Sequence, residues 1–155
     1  KKYPNLLVSR TFSKAYGLAG LRVGFGLAQP ELTDLLNRIR QPFNVNTLAQ
    51  AAAVAALNDK DFLEKSARIN ADGYRFLTGS FREMGLEYVP SHGNFVLVKV
   101  GEDDGAGSRI NLELLKKGII VRPVNAYGLP KWLRISIGLP EENQVFVRAL
   151  KEILA

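Results

Sequence analysis

Lys14 is the residue of this chain whose type and surroundings most clearly suggest chemistry. A free lysine amine, with a pKa of about 10.4, is almost fully protonated near neutral pH, so lysine chemistry needs the amine deprotonated or stored as an imine. Thr11 and Ser13 place hydroxyl groups just before the lysine, and Arg22 follows it eight positions later. Hydroxyls and a bidentate arginine are the donors that suit a phosphate dianion. The segment thus combines a candidate nucleophile with a candidate anion site.

Two short apolar runs must position this segment. Leu6 to Val8 is predicted to form a buried strand that leads into it, and Val23 to Ala28 a second strand that leads out. Glycines between Gly17 and Gly26 would let backbone pass close to a bound group. Taken alone, the pattern is better explained by a surface lysine and a helix-end arginine.

Helices are predicted after the second strand. Pro30 suits the first turn of a helix that reaches Ile39, and Asn46 suits the N-cap of the next, whose packing face is predicted to be Leu48, Ala52, Ala53 and Ala56. Apolar residues then recur at helical spacing from Asp61 to Met84. Gly73 and Gly79 argue against an unbroken helix there.

The rest of the chain mixes strands with two helices. The segments "LEYVP", "NFVLVKV", "GIIVRPV" and "WLRISIG" are predicted strands, the last with Leu133 and Ile135 on one face and Arg134 on the other. A helix is predicted around Ile110 to Lys117, and "GEDDGAGS" before it is predicted to be an exposed loop. Pro140 begins a final amphipathic helix.

Composition narrows the possible functions. Of 155 residues, 46% are hydrophobic and 23% charged, which is typical of a soluble globular protein. There is no cysteine and one histidine, so disulfides are excluded and a metal site or a Ser-His-Asp triad is not expected. The net charge of +6 is spread along the chain without an arginine-rich arm, so no nucleic-acid partner is expected. No apolar run reaches the roughly 18 residues of a membrane span.

Four motifs, in order along the chain, carry a family resemblance: "SRTFSKAYGLAGLRVGFGLA", "PSHGNFVLV", "GIIVRPV" and "WLRISIGLPEENQVFVRALKEIL". Together they resemble the fold-type I, class II aminotransferases, in particular the histidinol-phosphate branch. The resemblance covers essentially the whole chain. It implies an α/β fold in which residues 1–60 are the end of the large cofactor-binding domain and residues 61–155 are the small C-terminal α+β domain.

The resemblance implies pyridoxal 5′-phosphate as the cofactor. Lys14 would form the Schiff base with it and move the proton between the substrate Cα and the cofactor's C4′. Arg22 would pair with the cofactor phosphate, with Thr11 and Ser13 as hydroxyl donors.

Three residues match the family's substrate side. Arg134 would hold the anionic end of the substrate, and Arg122 would help to receive a substrate phosphate. A rim salt bridge would explain Arg122 as well. Both arginines are expected at the ends of strands. Asn94 would orient the substrate, although satisfying a strand end explains it slightly better. For the remaining polar rings, His92, Tyr16 and Tyr127, loop or packing roles are predicted.

The reaction implied is amino-group exchange between histidinol phosphate, a phosphorylated amino substrate, and the 2-oxo acid 2-oxoglutarate, in L-histidine biosynthesis. Another class II aminotransferase, or an enzyme resembling threonine-phosphate decarboxylase, is the alternative. A non-catalytic basic module that binds nucleic acid or a protein partner is a third interpretation.

The family's aspartate at the pyridine nitrogen lies on a strand before the lysine. Only thirteen residues precede Lys14 here, and none is acidic; Asp34 and Asp59 fall on predicted downstream helices. The chain is therefore expected to be the C-terminal portion of the enzyme and to be inactive by itself. The parent enzyme is expected to be a cytoplasmic homodimer.

Overall fold

A computed structural model describes residues 3–155 of the chain. The fold divides into two compact units, Lys1–Ala67 (unit 1) and Arg68–Ala155 (unit 2). The division falls inside a long helix, seven residues after the boundary predicted between residues 60 and 61. The predicted domain boundary itself remains a prediction. Residues 1 and 2 of the predicted first domain lie outside the described residues. No helix of residues 3–155 is long and apolar enough to cross a membrane.

Unit 1 begins with a two-stranded antiparallel ribbon, β1 (Val8–Thr11) and β2 (Gly24–Leu27). The predicted second strand is confirmed, but the predicted buried strand over Leu6 to Val8 is wrong. Leu6 and Leu7 lie before β1, and every residue of β1 is exposed. Among residues 3–155 no further strand pairs with the ribbon, so the outer edges of both strands are unpaired.

Gly24 lets the two strands of the ribbon approach closely. A methyl group at this position would lie 2.6 Å from the carbonyl oxygen of Arg10, closer than any side chain tolerates. The close approach of the two backbones therefore requires glycine at position 24, independently of any ligand.

Two helices follow the ribbon in unit 1: α1 (Pro30–Ile39) and α2 (Thr47–Asn58). Pro30 stands in the first turn of α1, as predicted. Asn46 caps α2, since its Oδ1 accepts a hydrogen bond of 2.8 Å from the backbone N–H of Ala49.

The predicted packing face of α2 is partly wrong. Ala49 and Ala53 are the buried residues of this helix, whereas Leu48 is 77% exposed. A stripe of alanines predicts the rotation of a helix poorly, because small residues occupy all of its faces.

Helix α3 (Lys60–Glu83) is continuous and begins one residue before the predicted start. The helix predicted from Asp61 to Met84 is confirmed, and Gly73 and Gly79, which argued against its continuity, do not interrupt it. Gly73 is buried, and a methyl group there would lie 2.5 Å from Cγ2 of Ile137 and 2.9 Å from Nδ2 of Asn143. The glycine is therefore a packing requirement. The helix ends before Gly85, which has a positive φ of 68°.

Substituting these two glycines should change stability in opposite directions. Gly73→Ala should lower the free energy of unfolding by about 1–3 kcal/mol, because the added methyl group forces Ile137 and Asn143 apart. Gly79→Ala is the matched control in the same helix. It meets nothing within 4 Å and should raise stability by about 0.5–1 kcal/mol through helix propensity alone. Urea denaturation of the two variants measures both values; a Gly73→Ala variant as stable as Gly79→Ala would contradict the packing argument.

Unit 2 contains a four-stranded antiparallel sheet. The strands are β3 (Tyr88–Val89), β4 (Phe95–Lys99), β5 (Arg122–Val124) and β6 (Leu129–Ser136). Their order in the sheet is β3-β4-β6-β5, so that β5 is an edge strand. The strands predicted in "LEYVP" and "GIIVRPV" are confirmed as β3 and β5, but both are short. Only three residues of "GIIVRPV" pair with a neighbouring strand.

Two further helices pack on this sheet: α4 (Ala106–Lys116) and α5 (Pro140–Leu154). The core joins Leu77 and Phe81 of α3 to the inward residues of the strands and of both helices. Leu133 and Ile135 face this core, as the alternation of β6 predicts, and Arg134 faces the other side. The sheet thus has one face covered by helices and one face that carries the predicted substrate residues.

The loop predicted over "GEDDGAGS" is shorter than expected. Helix α4 begins at Ala106, four residues earlier than predicted, and both Ala106 and Gly107 are buried. Gly107 lies against β6, where a methyl group would be 2.5 Å from the carbonyl oxygen of Pro130. Close packing on the sheet extends the helix into a segment whose composition is typical of a loop.

Candidate functional site

The predicted lysine lies in a loop closed at its base. Thr11 and Gly24 are cross-strand partners in the ribbon, and the N–H of Phe12 donates a 3.2 Å hydrogen bond to the carbonyl of Val23. Phe12 and Val23 are both buried in the small core of unit 1. The loop 12–23 is therefore anchored at both ends, and it holds Lys14 and Arg22, with Thr11 at its base.

The hydroxyl groups of Thr11 and Ser13 are bonded to each other. Thr11 Oγ1 donates to Ser13 Oγ at 2.9 Å, and the backbone N–H of Ser13 donates to Thr11 Oγ1 at 3.0 Å. This arrangement leaves the Ser13 hydroxyl hydrogen without an acceptor among the described residues. The pair can therefore donate to an incoming anion without breaking a bond that it already makes.

Arg22 adopts a left-handed backbone conformation, with φ 54° and ψ 46°. Such a conformation costs an arginine about 1–2 kcal/mol, and the closed loop must compensate for it. The Nη1 group donates to the carbonyl of Ala19 at 2.8 Å, across the 3₁₀ turn Ala19–Leu21. The side chain is thereby tied to its own turn, while its remaining N–H groups stay available.

Lys14 is exposed, and its carbonyl accepts a 2.9 Å hydrogen bond from Gly17, which has a φ of 70°. In residues 3–155, no carboxylate lies within 4.0 Å of the Lys14 amine or of the Arg22 guanidinium. An amine, a guanidinium and two hydroxyls on one closed loop, without a protein counter-ion, form a set of donors for a ligand anion.

The second group of predicted residues lies in unit 2, on the open face of the sheet. Arg122 and Arg134 are directly opposite each other on β5 and β6. The expectation that both arginines end strands is wrong. Arg122 begins β5, and Arg134 lies inside β6 with two residues after it. The pairing of adjacent antiparallel strands, which sequence spacing does not reveal, makes the two arginines cross-strand neighbours.

Arg134 is held by an aromatic ring. Its guanidinium carbon lies 5.1 Å from the ring centroid of Phe95, which is a cation–π contact. Its Nε is shielded from solvent and makes no hydrogen bond within residues 3–155. A shielded donor without an acceptor is uncommon in folded proteins.

Arg122 also contacts an aromatic residue, Tyr127. Its Nη2 donates a 3.1 Å hydrogen bond to the tyrosine hydroxyl, and its guanidinium carbon lies 5.9 Å from the ring centroid. Within the described part of the chain, neither Arg122 nor Arg134 has a carboxylate within 4.0 Å. Two like charges placed opposite each other without a counter-ion favour the binding of a divalent anion.

The other polar residues considered in the sequence have ordinary surroundings. Asn94 is exposed immediately before β4, and its carbonyl accepts a 2.9 Å hydrogen bond from the N–H of Ile137. His92 is exposed in the preceding loop. Tyr16 packs on Phe12 with ring centroids 4.9 Å apart, which confirms its predicted packing role. The Asn94 side chain therefore remains a candidate by position only.

Neither acidic residue considered for unit 1 is free for a cofactor. Asp34 accepts a hydrogen bond from Arg38 on the same helix, α1. Asp59, predicted on a helix, instead lies in the junction between α2 and α3, where its Oδ1 accepts from the N–H of Phe62 at 3.0 Å. Both carboxylates therefore have structural roles.

Phe95 is the contact residue that the sequence did not predict. Val96 and Val98 are buried on the core face of β4, so Phe95 falls on the opposite, open face. A large aromatic residue out of phase with the core was the available signal, and its significance depended on knowing that β4 pairs with β6.

Comparison with known proteins places these groups in a family. The model of the family "Aminotransferase class I and II" matches residues 1–150. Histidinol-phosphate aminotransferase 2 of Ralstonia nicotianae is 72% identical over 155 residues, which is 100% of this chain and 41% of that protein. The chain thus spans about two fifths of the length of this relative.

Solved structures agree with that placement. Histidinol-phosphate aminotransferase from Sinorhizobium meliloti, solved in complex with pyridoxal-5′-phosphate, matches with a TM-score of 0.87 and 35% identity, over 97% of this chain and 41% of that one. L-threonine-O-3-phosphate decarboxylase from Porphyromonas gingivalis matches with a TM-score of 0.78 and 29% identity, over 97% and 47%. The predicted resemblance and the mixed α/β fold are confirmed. This chain belongs to the class I and II aminotransferase family.

Proposed function

We propose that the enzyme containing these residues transfers an amino group between histidinol phosphate and 2-oxoglutarate with pyridoxal 5′-phosphate as its cofactor. Because this chain spans about two fifths of its relative, the proposal concerns these residues together with the remaining length of such an enzyme. The observation that carries the choice of substrate is the arginine pair of the open sheet face, which has no carboxylate counter-ion in residues 3–155. The high identity to a histidinol-phosphate aminotransferase supports the same choice.

The loop 12–23 fits the cofactor. Pyridoxal phosphate, when bound, supplies an aldehyde that reacts with amines and a ring that stabilises negative charge on the substrate carbon. Arg22 and the Ser13 hydroxyl suit its phosphate, since each retains an unused donor, and Thr11 orients the Ser13 hydroxyl by donating to its oxygen. Lys14 Nζ, which has no partner within residues 3–155, is the group for covalent attachment and for removal of the proton from the substrate Cα.

The open face of unit 2 fits the substrate's anionic end. Arg134 is half-buried against Phe95, and Arg122 lies opposite it on the neighbouring strand. Two planar guanidinium groups bind a phosphate monoester through several charge-assisted hydrogen bonds. Asn94, exposed at the start of β4, is proposed to orient the substrate beside them. The inactivity expected of this chain by itself stays a prediction.

A phosphate-ester decarboxylase is the second candidate, favoured by the likeness to the threonine-phosphate enzyme. The same arginines would serve a different phosphorylated amino acid, so the anion site alone does not separate the two reactions. Loss of carbon dioxide, rather than gain of glutamate, would identify the decarboxylase.

A substrate panel on the full-length enzyme tests the proposal. With histidinol phosphate and 2-oxoglutarate we expect glutamate to form with a kcat/KM of about 10⁴ M⁻¹s⁻¹ or more, within the usual range for an enzyme and its substrate. The kcat/KM for threonine phosphate, measured by the release of carbon dioxide, is compared with that value. A higher kcat/KM for threonine phosphate, or no glutamate from histidinol phosphate, would replace the proposal with its alternative.

A cytoplasmic homodimer is proposed for the parent enzyme, on the strength of the family resemblance. Exposed apolar side chains in unit 1 support contact with another protein surface: Phe43 is 98% exposed, and Leu48 and Val54 are exposed as well. Sedimentation equilibrium of the full-length enzyme measures its mass, and a monomer at micromolar concentration would contradict the proposal.

A further inference from the structure

Tyr127 contacts one of the two paired arginines and has so far been assigned only a packing role. It lies in the 3₁₀ turn Asn125–Tyr127, which joins β5 to β6. Gly128 follows in a left-handed conformation with φ 75°, and its N–H donates to the carbonyl of Asn125 at 3.0 Å. This tight turn folds the tyrosine back toward the start of β5, where its hydroxyl accepts from Arg122 Nη2.

The two arginines differ in how well they are fixed without Tyr127. Arg134 lies on the inner strand β6, is half-buried, and stacks on Phe95. Arg122 lies on the edge strand β5 and is exposed. A long exposed side chain loses considerable rotamer freedom when it binds a ligand, and that loss weakens binding unless a contact fixes the side chain beforehand.

The hydrogen bond from Arg122 to Tyr127 provides such a contact without neutralising the charge. A carboxylate in the same place would also fix the guanidinium but would compete with a ligand anion for it. The tyrosine hydroxyl uses one of the five N–H donors of arginine and leaves four for a ligand. At 5.9 Å the ring itself lies near the limit of a cation–π contact, so the hydroxyl is the main interaction.

We propose that Tyr127 is a positioning residue for Arg122, and that it strengthens the binding of a phosphate group at the arginine pair. The inference rests on the proposed function, in which Arg122 and Arg134 receive the substrate phosphate. Tyr127 acts through Arg122 and takes no part in proton transfer. Its loss should therefore change KM and leave kcat nearly unchanged.

Tyr127→Phe in the full-length holoenzyme is the test, because it removes the hydroxyl and keeps the ring. We expect KM for histidinol phosphate and the dissociation constant for inorganic phosphate, measured by calorimetry, to rise about fivefold, the effect of one net hydrogen bond. The change in kcat should be less than twofold. Tyr88→Phe is the matched control, since it removes the 3.3 Å hydrogen bond that Arg82 donates to another tyrosine of unit 2; it should change neither constant.

A double-mutant cycle separates positioning from a general structural effect. In an Arg122→Leu background, Tyr127→Phe should produce no further change in phosphate binding. An equal loss in both backgrounds would overturn the proposal, as would an unchanged phosphate dissociation constant in the single variant. No phosphate binding by the wild-type holoenzyme would overturn it too. Phosphate binding that follows the cycle in an enzyme that does not turn over histidinol phosphate would overturn the proposed function alone.

Discussion

Replacing Lys14 with alanine in the full-length enzyme should lower kcat for amino-group exchange by about 10³-fold or more, because in the proposed function this one group provides both covalent attachment and proton transfer. The structure supports a chemical role, since the amine is exposed and has no carboxylate within 4.0 Å in residues 3–155. A lysine with no protein partner has no stabilising contact to lose. The free energy of unfolding should therefore change by less than about 0.5 kcal/mol.

Two measurements separate this outcome from a general loss of function. Sodium borohydride should fix the cofactor to the wild-type enzyme, and peptide mass spectrometry should find the added mass on Lys14. A small primary amine in the buffer should partly restore the turnover of the alanine variant, because it replaces the missing base. Lys65→Ala, at an exposed position of α3 in the same unit, is the control and should retain full activity. Undiminished turnover of Lys14→Ala would contradict the assignment.

The elements that the sequence predicted well are those whose signals are local. Asn46 caps α2 because its side chain reaches an N–H only three residues away, and Pro30 begins α1 because its fixed φ suits a first turn. The alternation along β6 is similarly local, and it placed Leu133 in the core and Arg134 on the opposite face. None of these predictions needed knowledge of a distant partner.

The predictions that failed depended on contacts between distant segments. Gly73 resembles a helix breaker until Ile137 is seen packed against it, 64 positions along the chain. The run from Leu6 to Val8 is apolar enough for a buried strand, but burial depends on what covers it. Helix α4 extends to Ala106 because Gly107 fits against β6, although its local composition is typical of a loop.

The candidate site divides in the same way. The grouping of Thr11, Ser13 and Lys14 is a matter of adjacency, and the sequence contains it. The pairing of Arg122 with Arg134 depends on the register of β5 and β6, and the contact of Phe95 depends on that of β4 and β6. Sequence therefore predicted the residue types of the candidate site, whereas the sheet determines which of those residues are neighbours.

Arg134→Leu should lower kcat/KM for histidinol phosphate by about 10²- to 10³-fold, the effect of removing a desolvated charge from a hydrogen-bonded ion pair. Its guanidinium is already held against Phe95, so less side-chain freedom is lost when a ligand binds. Arg134→Lys should recover only part of the activity. A lysine places a point charge near the ligand but cannot form two parallel hydrogen bonds or stack in the same way on Phe95.

The loss of activity in Arg134→Leu should not be accompanied by a loss of folding stability, and this contrast makes the prediction specific. Arg134 faces Arg122 directly across the strands without a carboxylate partner in the described chain, so removing one charge relieves repulsion. The free energy of unfolding of Arg134→Leu, measured by urea denaturation, should therefore stay the same or increase. Arg148→Leu, at an exposed position of α5, is the control for loss of a positive charge in unit 2 and should retain full activity. If Arg134→Leu were instead less stable and fully active, Arg134 would be a structural residue and the anion site would lie elsewhere.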